Sequence, residues 1–219
     1  MIDILVDNSF FKFGDSVYRQ KIGIPMGVDP APQMANLYLF YYEYTFMEKL
    51  AKEDGKIARK FNNTSRFIDD LITLNNDGVL GQRKQDIYPK ELVCNKENLG
   101  DQTATFLDME TNVVGKQFVT KTYDKREAYN FEIVNYPDLS GNIPPNAAYG
   151  VYTSQVIRYA RVCSNKDDFL SRVKLLKGKL KEKGFLEAKL IKTGKRCLHK
   201  NHWIQKKYKD FQVEEFHHC

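Results

Sequence analysis

Residues 66–74 read R-F-I-D-D-L-I-T-L, a run of apolar, β-prone positions that encloses two adjacent aspartates. Removing a carboxylate from water costs several kcal/mol unless a counter-charge or a cation meets it. In one continuous strand Asp69 and Asp70 would point to opposite faces, and one of them would enter a core. The run therefore predicts two short antiparallel strands with the aspartates at the turn, the second strand closed by Asn75-Asn76-Asp77-Gly78. A chain built this way needs a sheet made of hairpins. The pair itself has two readings. Asp is a common turn residue, and a plain Asx turn explains it. A turn that presents two carboxylates is also a platform for a hard cation, because Mg²⁺ takes oxygen ligands, keeps waters and often needs only one or two protein carboxylates. The same dipeptide at Asp167-Asp168 is a useful control. It follows Ser164 or Asn165 as a helix N-cap, where the helix dipole accounts for it.

The remaining chain reads as hairpins and helices. A hairpin is expected around Gly14-Asp15. It is followed by the Gly- and Pro-dense loop Q-K-I-G-I-P-M-G-V-D-P-A-P and an amphipathic helix from about Gln33 to Lys52. The apolar positions of that helix are Leu37, Phe40, Tyr44, Met47 and Leu50, with Pro32 and Gly55 as punctuation. A helix is expected over 79–86, a strand at E-L-V-C-N (residues 91–95), and a β-hairpin over T-A-T-F-L-D-M-E-T-N-V-V, Gly115 and Q-F-V-T-K-T-Y. Residues 131–147 hold most of the remaining turn signals and read as a connection. The last third is helical: one helix over Tyr149–Cys163, and another that begins at S-N-K-D-D-F and ends before Gly184. The expected architecture is α+β, with an antiparallel sheet and packed helices in 1–130, a connecting segment over 131–147, and a helical basic module over 148–219.

Charge divides the chain in the same way. Residues 1–155 carry 17 Lys and Arg against 21 Asp and Glu, whereas residues 156–210 carry 17 against 5. Such asymmetry points to a polyanion partner, although a solvated lysine-rich helix face produces the same composition. The opening M-I-D-I-L-V-D lacks the basic flank and long apolar stretch of a signal peptide, and no apolar run approaches the ~20 residues of a membrane span. Cys94, Cys163, Cys197 and Cys219 form no framework spacing, which suits a reducing compartment. The expectation is an intracellular chain with no membrane partner. In the tail, Cys197, His199, His202, His217, His218 and Cys219 are metal-ligating residue types, but C-x-H-x-x-H and H-H-C fit no closed zinc site well.

The loop upstream of the aspartates lacks the G-K-[ST] ending of a P-loop and does not match G-x-G-x-x-G. Its pattern Y-x-Q-x-x-G-I-P-M-G-x-x-x-A-P-x-x-A-N-L-Y-L, followed some thirty residues later by R-F-I-D-D, resembles the palm of reverse transcriptases, and more narrowly the Penelope-like retroelements. F-L-D-M-E-T with T-K-T-Y-D-K is similar to the strands that position a primer end, and S-Q-V-I-R-Y-A-R-V-C-S to the first thumb helix of that group. The resemblance spans about residues 5–195, with the motifs in the family's order. It implies a partial polymerase palm followed by a helical, basic thumb. It also implies RNA-directed DNA polymerase activity, in which a primer 3′-hydroxyl is extended with deoxynucleotides by a two-metal mechanism.

Carried onto this chain, the resemblance makes Asp69 and Asp70 the catalytic, metal-binding carboxylates for Mg²⁺ or Mn²⁺. Gln20, Gly23, Pro25, Met26 and Gly27 become the residues beside the templating base pair and incoming nucleotide. Arg158, Arg161, Lys174 and Lys177 become contacts to nucleic acid. The partners implied are an RNA template with a DNA primer, or an RNA–DNA hybrid, and deoxynucleoside triphosphates. Work on DNA implies a nuclear location. Each residue also has a plainer reading: loop geometry for the glycines, packing for Met26, a solvated face for the arginines. The family pattern needs a third carboxylate from a strand several tens of residues before the glycine loop. Asp3 and Asp7 stand too close to serve, so the expectation is a chain without the fingers and first catalytic carboxylate, inactive alone. The alternative is a non-catalytic, nucleic-acid-binding remnant of such a polymerase.

Overall fold

Gly14 adopts φ +60° in the turn between β1 (Phe10–Phe13) and β2 (Ser16–Arg19), the positive-φ conformation that only glycine takes without strain. The computed structural model describes residues 8–25, 27–98, 100, 102–131, 133–209, 211 and 216. They belong to two compact units, Met1–Lys96 and Glu97–Cys219. The architecture is mixed α+β, with small antiparallel sheets and helices, as the hairpin-rich sequence predicts.

In the first unit β1 pairs with β2 from Phe10↔Arg19 to Phe13↔Ser16. Helix α1 (Ala31–Glu53) comes after the Gly- and Pro-dense loop, with proline in its first turn where the missing N–H is no loss. Asp54 then ends α1 and starts α2 (Gly55–Arg59): its Oδ1 accepts from the backbone N–H of Lys56 at 2.9 Å and of Ile57 at 3.1 Å. The run R-F-I-D-D-L-I-T-L folds as β3 (Thr64–Phe67) and β4 (Asp70–Thr73), in register from Thr64↔Thr73 to Phe67↔Asp70. Buried Asn76 fixes the start of the next helix, α3 (Val79–Ile87). Its side chain accepts from the Leu80 N–H and donates to the Lys60 carbonyl at 2.9 Å, so that α3 begins against the end of α2.

The core of this unit is Phe46, Leu50, Ala58 and Ile87, with Phe61 edge-on to Phe46 at 5.8 Å. This corrects the apolar stripe expected for α1. Leu50 is buried, but Leu37, Phe40 and Tyr44 are exposed, Leu37 at 69%. Aromatics occur on every side of α1, so periodicity does not select a face; the buried residues of its second half pack with those of α2 and α3. The strand expected at E-L-V-C-N is also absent: residues 93–98 pair with no strand, and the Cys94 carbonyl instead accepts from the Lys84 ammonium at 2.8 Å.

The second unit begins with a three-stranded meander, β5 (Thr103–Phe106), β6 (Met109–Val114) and β7 (Gln117–Thr122), where a single hairpin was expected. A 3-10 turn at Lys125–Ala128 comes next, then the helices α4 (Pro145–Val162), α5 (Lys166–Glu182), α6 (Glu187–Lys200) and α7 (His202–Lys207) among the described residues. The Asn165 cap forms as the sequence indicates, its Oδ1 accepting from the Asp168 N–H at 2.9 Å. The sheet is fastened to these helices. The Ser164 N–H donates to the Thr120 carbonyl at 2.8 Å, the Thr120 N–H to Ser164 Oγ at 3.0 Å, and the Arg172 guanidinium to the Thr122 carbonyl at 2.8 Å. For this reason the units divide between Lys96 and Glu97, whereas turn signals had suggested a division over 131–147.

The helical core holds Tyr152, Val156, Phe169, Val173, Leu176, Leu180, Leu190, Leu198 and Ile204. Orphan carbonyls at the end of α4 are satisfied from α7 and the residue after it: Lys207 Nζ donates to Ala160 at 2.7 Å and Tyr208 OH to Cys163 at 2.9 Å. Phe216 packs over Gly194 of α6 so closely that a Cβ there would overlap its ring.

Candidate functional site

The tip of the β3–β4 hairpin is a two-residue loop, Ile68-Asp69, between the paired Phe67 and Asp70. Ile68 sits at φ +54°. A β-branched residue is strained there by ~1–3 kcal/mol, a conformation kept only where its surroundings over-determine it. Asp69 belongs to the loop itself. Asp70 is the first residue of β4 and shares the outer face with exposed Phe67. Both carboxylates are exposed, and among the described residues neither has a hydrogen-bond or ion-pair partner.

The opposite face of the hairpin is occupied by Arg66. Its Nε donates to Glu43 Oε1 at 2.7 Å and its Nη2 to Glu43 Oε2 at 3.2 Å, a two-pronged pairing with a carboxylate on α1. Its Nη1 donates to Asn36 Oδ1 at 2.8 Å and to the Ile68 carbonyl at 3.0 Å. Tyr88 adds an O–H bond to Glu43 Oε1 at 2.8 Å, and burial together with that bond pushes its phenol far above the ordinary range. Three charged or polar side chains, Asn36, Glu43 and Arg66, thus join α1 to the strained turn. Sequence reasoning assigned them no role. The available signal was two polar residues seven apart in an aromatic helix, and so on one face of it. Alternation in T-S-R-F points Phe67 inward and gives no sign of Arg66, which the structure turns toward α1 instead.

The same helix carries the glycine loop on its N-terminal side. The Gln20 N–H donates to Ser9 and its side-chain amide to the Ile22 carbonyl at 3.1 Å, so Gln20 holds the loop's own backbone. Gly23 and Gly27 adopt φ +92° and +91°, and Pro25 is buried. Met26 lies outside the described residues. Loop, α1 and hairpin are therefore continuous through α1.

No family model, curated protein or solved structure matches this chain.

The four expected nucleic-acid contacts fare differently. Arg161 and Lys174 are exposed on α4 and α5. Arg158 is exposed as well, but its Nε donates to Asp108 in the β5–β6 turn. Lys177 is 3% exposed, on the face of α5 that buries Val173, Leu176 and Leu180, so it is no part of the solvent-facing basic surface. Composition alone could not locate it on the helix. A basic stripe that was not among the expected contacts lies on α6. Leu190, Gly194, Cys197 and Leu198 are buried there, and Lys192, Lys195, Arg196 and Lys200 are exposed with no carboxylate partner among the described residues. Its signal was present in K-L-I-K-T-G-K-R-C-L-H-K, where cations recur every three or four residues on one side.

Among the described residues, no group of three or more His, Cys, Asp or Glu is arranged to hold a metal ion. Cys197 is buried with its thiol 3.9 Å from Asn201 Nδ2, and burial pushes that thiol up, whereas His199 and His202 are exposed with ring centroids 5.3 Å apart. His217, His218 and Cys219 lie outside the described residues. No described helix is long and apolar enough to cross a membrane.

Proposed function

We propose that this chain is the palm-hairpin and thumb portion of an RNA-directed DNA polymerase of the retroelement type. The observation that carries it is the pair of exposed carboxylates at Asp69 and Asp70, without a partner among the described residues and presented by a strained turn that an arginine ties to α1. An all-oxygen donor pair of this kind suits a hard divalent cation such as Mg²⁺ or Mn²⁺. When bound, such ions activate an attacking hydroxyl and neutralise the developing charge on a transferring phosphate. The chain's own residues would supply the rest. Asp69 and Asp70 would hold the cations, and the backbone at Gly23 and Gly27 leaves room for a base pair or nucleotide to approach closely. The exposed cations of α4, α5 and α6 would engage phosphates of an RNA–DNA duplex without reading its sequence.

The exposed cations of α6, which have no carboxylate partner among the described residues, equally favour a second reading, a nucleic-acid-binding remnant with no metal chemistry. Fluorescence anisotropy separates the two. A labelled RNA template–DNA primer duplex is titrated with the wild-type chain and with the double variant Asp69→Asn, Asp70→Asn, in EDTA and in Mg²⁺. The polymerase reading predicts that Mg²⁺ raises wild-type affinity relative to the double variant. Identical responses to Mg²⁺ favour the remnant, and an absence of salt-sensitive binding in either protein rejects both.

A further inference from the structure

We propose that Arg66, held by Asn36 and Glu43, is a positioning residue that fixes the Asp69-Asp70 turn for a divalent cation; this rests on the turn being a cation site. The Arg66 side chain is 14% exposed and that of Glu43 27%, so the pairing is largely withdrawn from solvent. Its guanidinium makes four hydrogen bonds to three acceptor groups, and one of these is the carbonyl of Ile68, the residue immediately before Asp69. Asn36 and Glu43 are separated by about 10 Å along the axis of α1, at 1.5 Å per residue. A guanidinium bonded to both holds the hairpin tip at two points on the helix, which fixes its rotation as well as its distance.

The structure contains an internal comparison. The β5–β6 hairpin turns on Phe106-Leu107-Asp108-Met109, with Leu107 at φ +57°, matching Phe67-Ile68-Asp69-Asp70 with Ile68 at φ +54°. Among the described residues no side chain donates to the Leu107 carbonyl, yet that turn forms. The Arg66 network is therefore not what makes such a turn possible. It adds immobilisation relative to α1. The two turns also differ in their acids: Asp108 accepts from Arg158, while the guanidinium beneath Asp69 is spent on Glu43, Asn36 and a backbone oxygen. The carboxylates stay free for a cation while the turn that bears them is held. A pair of carboxylates binds such ions weakly, and its affinity depends strongly on outer groups that keep the donors in place.

The test is Mn²⁺ binding to the whole chain, followed by loss of the free-ion electron paramagnetic resonance signal, with folding checked by circular dichroism at the same temperature. Arg66→Lys keeps the charge and loses the fork; Asn36→Ala keeps the charge and removes one exposed acceptor. Both should weaken Asp69-dependent Mn²⁺ binding, Arg66→Lys by about tenfold and Asn36→Ala by less, in protein that remains folded. A purely structural role would move melting and leave the Mn²⁺ affinity of the folded protein unchanged. If wild type binds Mn²⁺ through Asp69 and the folded Asn36→Ala and Arg66→Lys proteins bind it equally well, the positioning role is wrong and the cation site stands. If Arg66→Lys fails to fold, Asn36→Ala alone decides. If wild type shows no binding that Asp69→Asn removes, the cation site fails and the positioning role fails with it.

Discussion

Replacing Lys192, Lys195, Arg196 and Lys200 together by glutamine is expected to make the salt dependence of RNA–DNA hybrid binding shallower by about 3 in the slope of log K against log salt. Each cation that neutralises a phosphate releases condensed counterions and contributes ~0.7–0.9 to that slope. These four are exposed on one helix and have no carboxylate partner among the described residues, so they begin the encounter uncommitted. Their removal leaves the buried face of α6 intact, because Leu190, Gly194, Cys197 and Leu198 make the contact with the core. Arg158→Gln should change the slope much less, since its guanidinium already serves Asp108. Binding measured by anisotropy across a salt series checks this, and a quadruple variant with the wild-type slope would remove α6 from the interface.

Phe169→Ala is expected to cost ~3–5 kcal/mol of stability in the helical unit. Phe169 is fully buried at the start of α5 and stacks on Tyr208 at 5.1 Å. Phe211 and Phe216 complete the cluster, with centroids at 6.2 and 6.3 Å. Truncation removes the ring on which three others pack, and rigid helices on either side limit collapse of the cavity. The same ring also braces Tyr208, whose hydroxyl donates to the Cys163 carbonyl at the end of α4. Urea unfolding followed by helical circular dichroism measures the loss. A change below ~1 kcal/mol, the range of a surface substitution, would mean that the aromatic cluster does not hold the unit together.

What the sequence made legible was local. Two aspartates inside an apolar run forced a turn, and β3–β4 turns there; Asn165 followed by Asp167-Asp168 announced a helix start, and α5 starts there. What it hid depends on partners distant along the chain. Arg66 reaches Asn36 thirty positions away and Glu43 twenty-three away, and no local pattern pairs them. The apolar rhythm of α1 specifies a helix, but rhythm does not say which side meets a core, and Leu37, Phe40 and Tyr44 face outward. The basic composition of 156–210 was plain, yet composition has no azimuth: Lys177 turned inward while the uncommitted cations gathered on α6. E-L-V-C-N has strand propensity, and propensity without a neighbouring strand made no ladder.

Asp69 and Asp70 are proposed to hold a divalent cation beside a primer terminus, and iron-mediated affinity cleavage reports whether an ion sits there. Fe²⁺ replaces Mg²⁺ in an oxygen-donor site, and with ascorbate and peroxide it releases radicals that cut whatever lies beside it. With an RNA template–DNA primer duplex bound, backbone cleavage of the chain is expected around residues 67–71, and of the duplex near the primer 3′ end. Both cuts should be suppressed by excess Mg²⁺ and lost in folded Asp69→Asn. Cleavage that misses the hairpin, or that persists unchanged in Asp69→Asn, would contradict that placement of the ion.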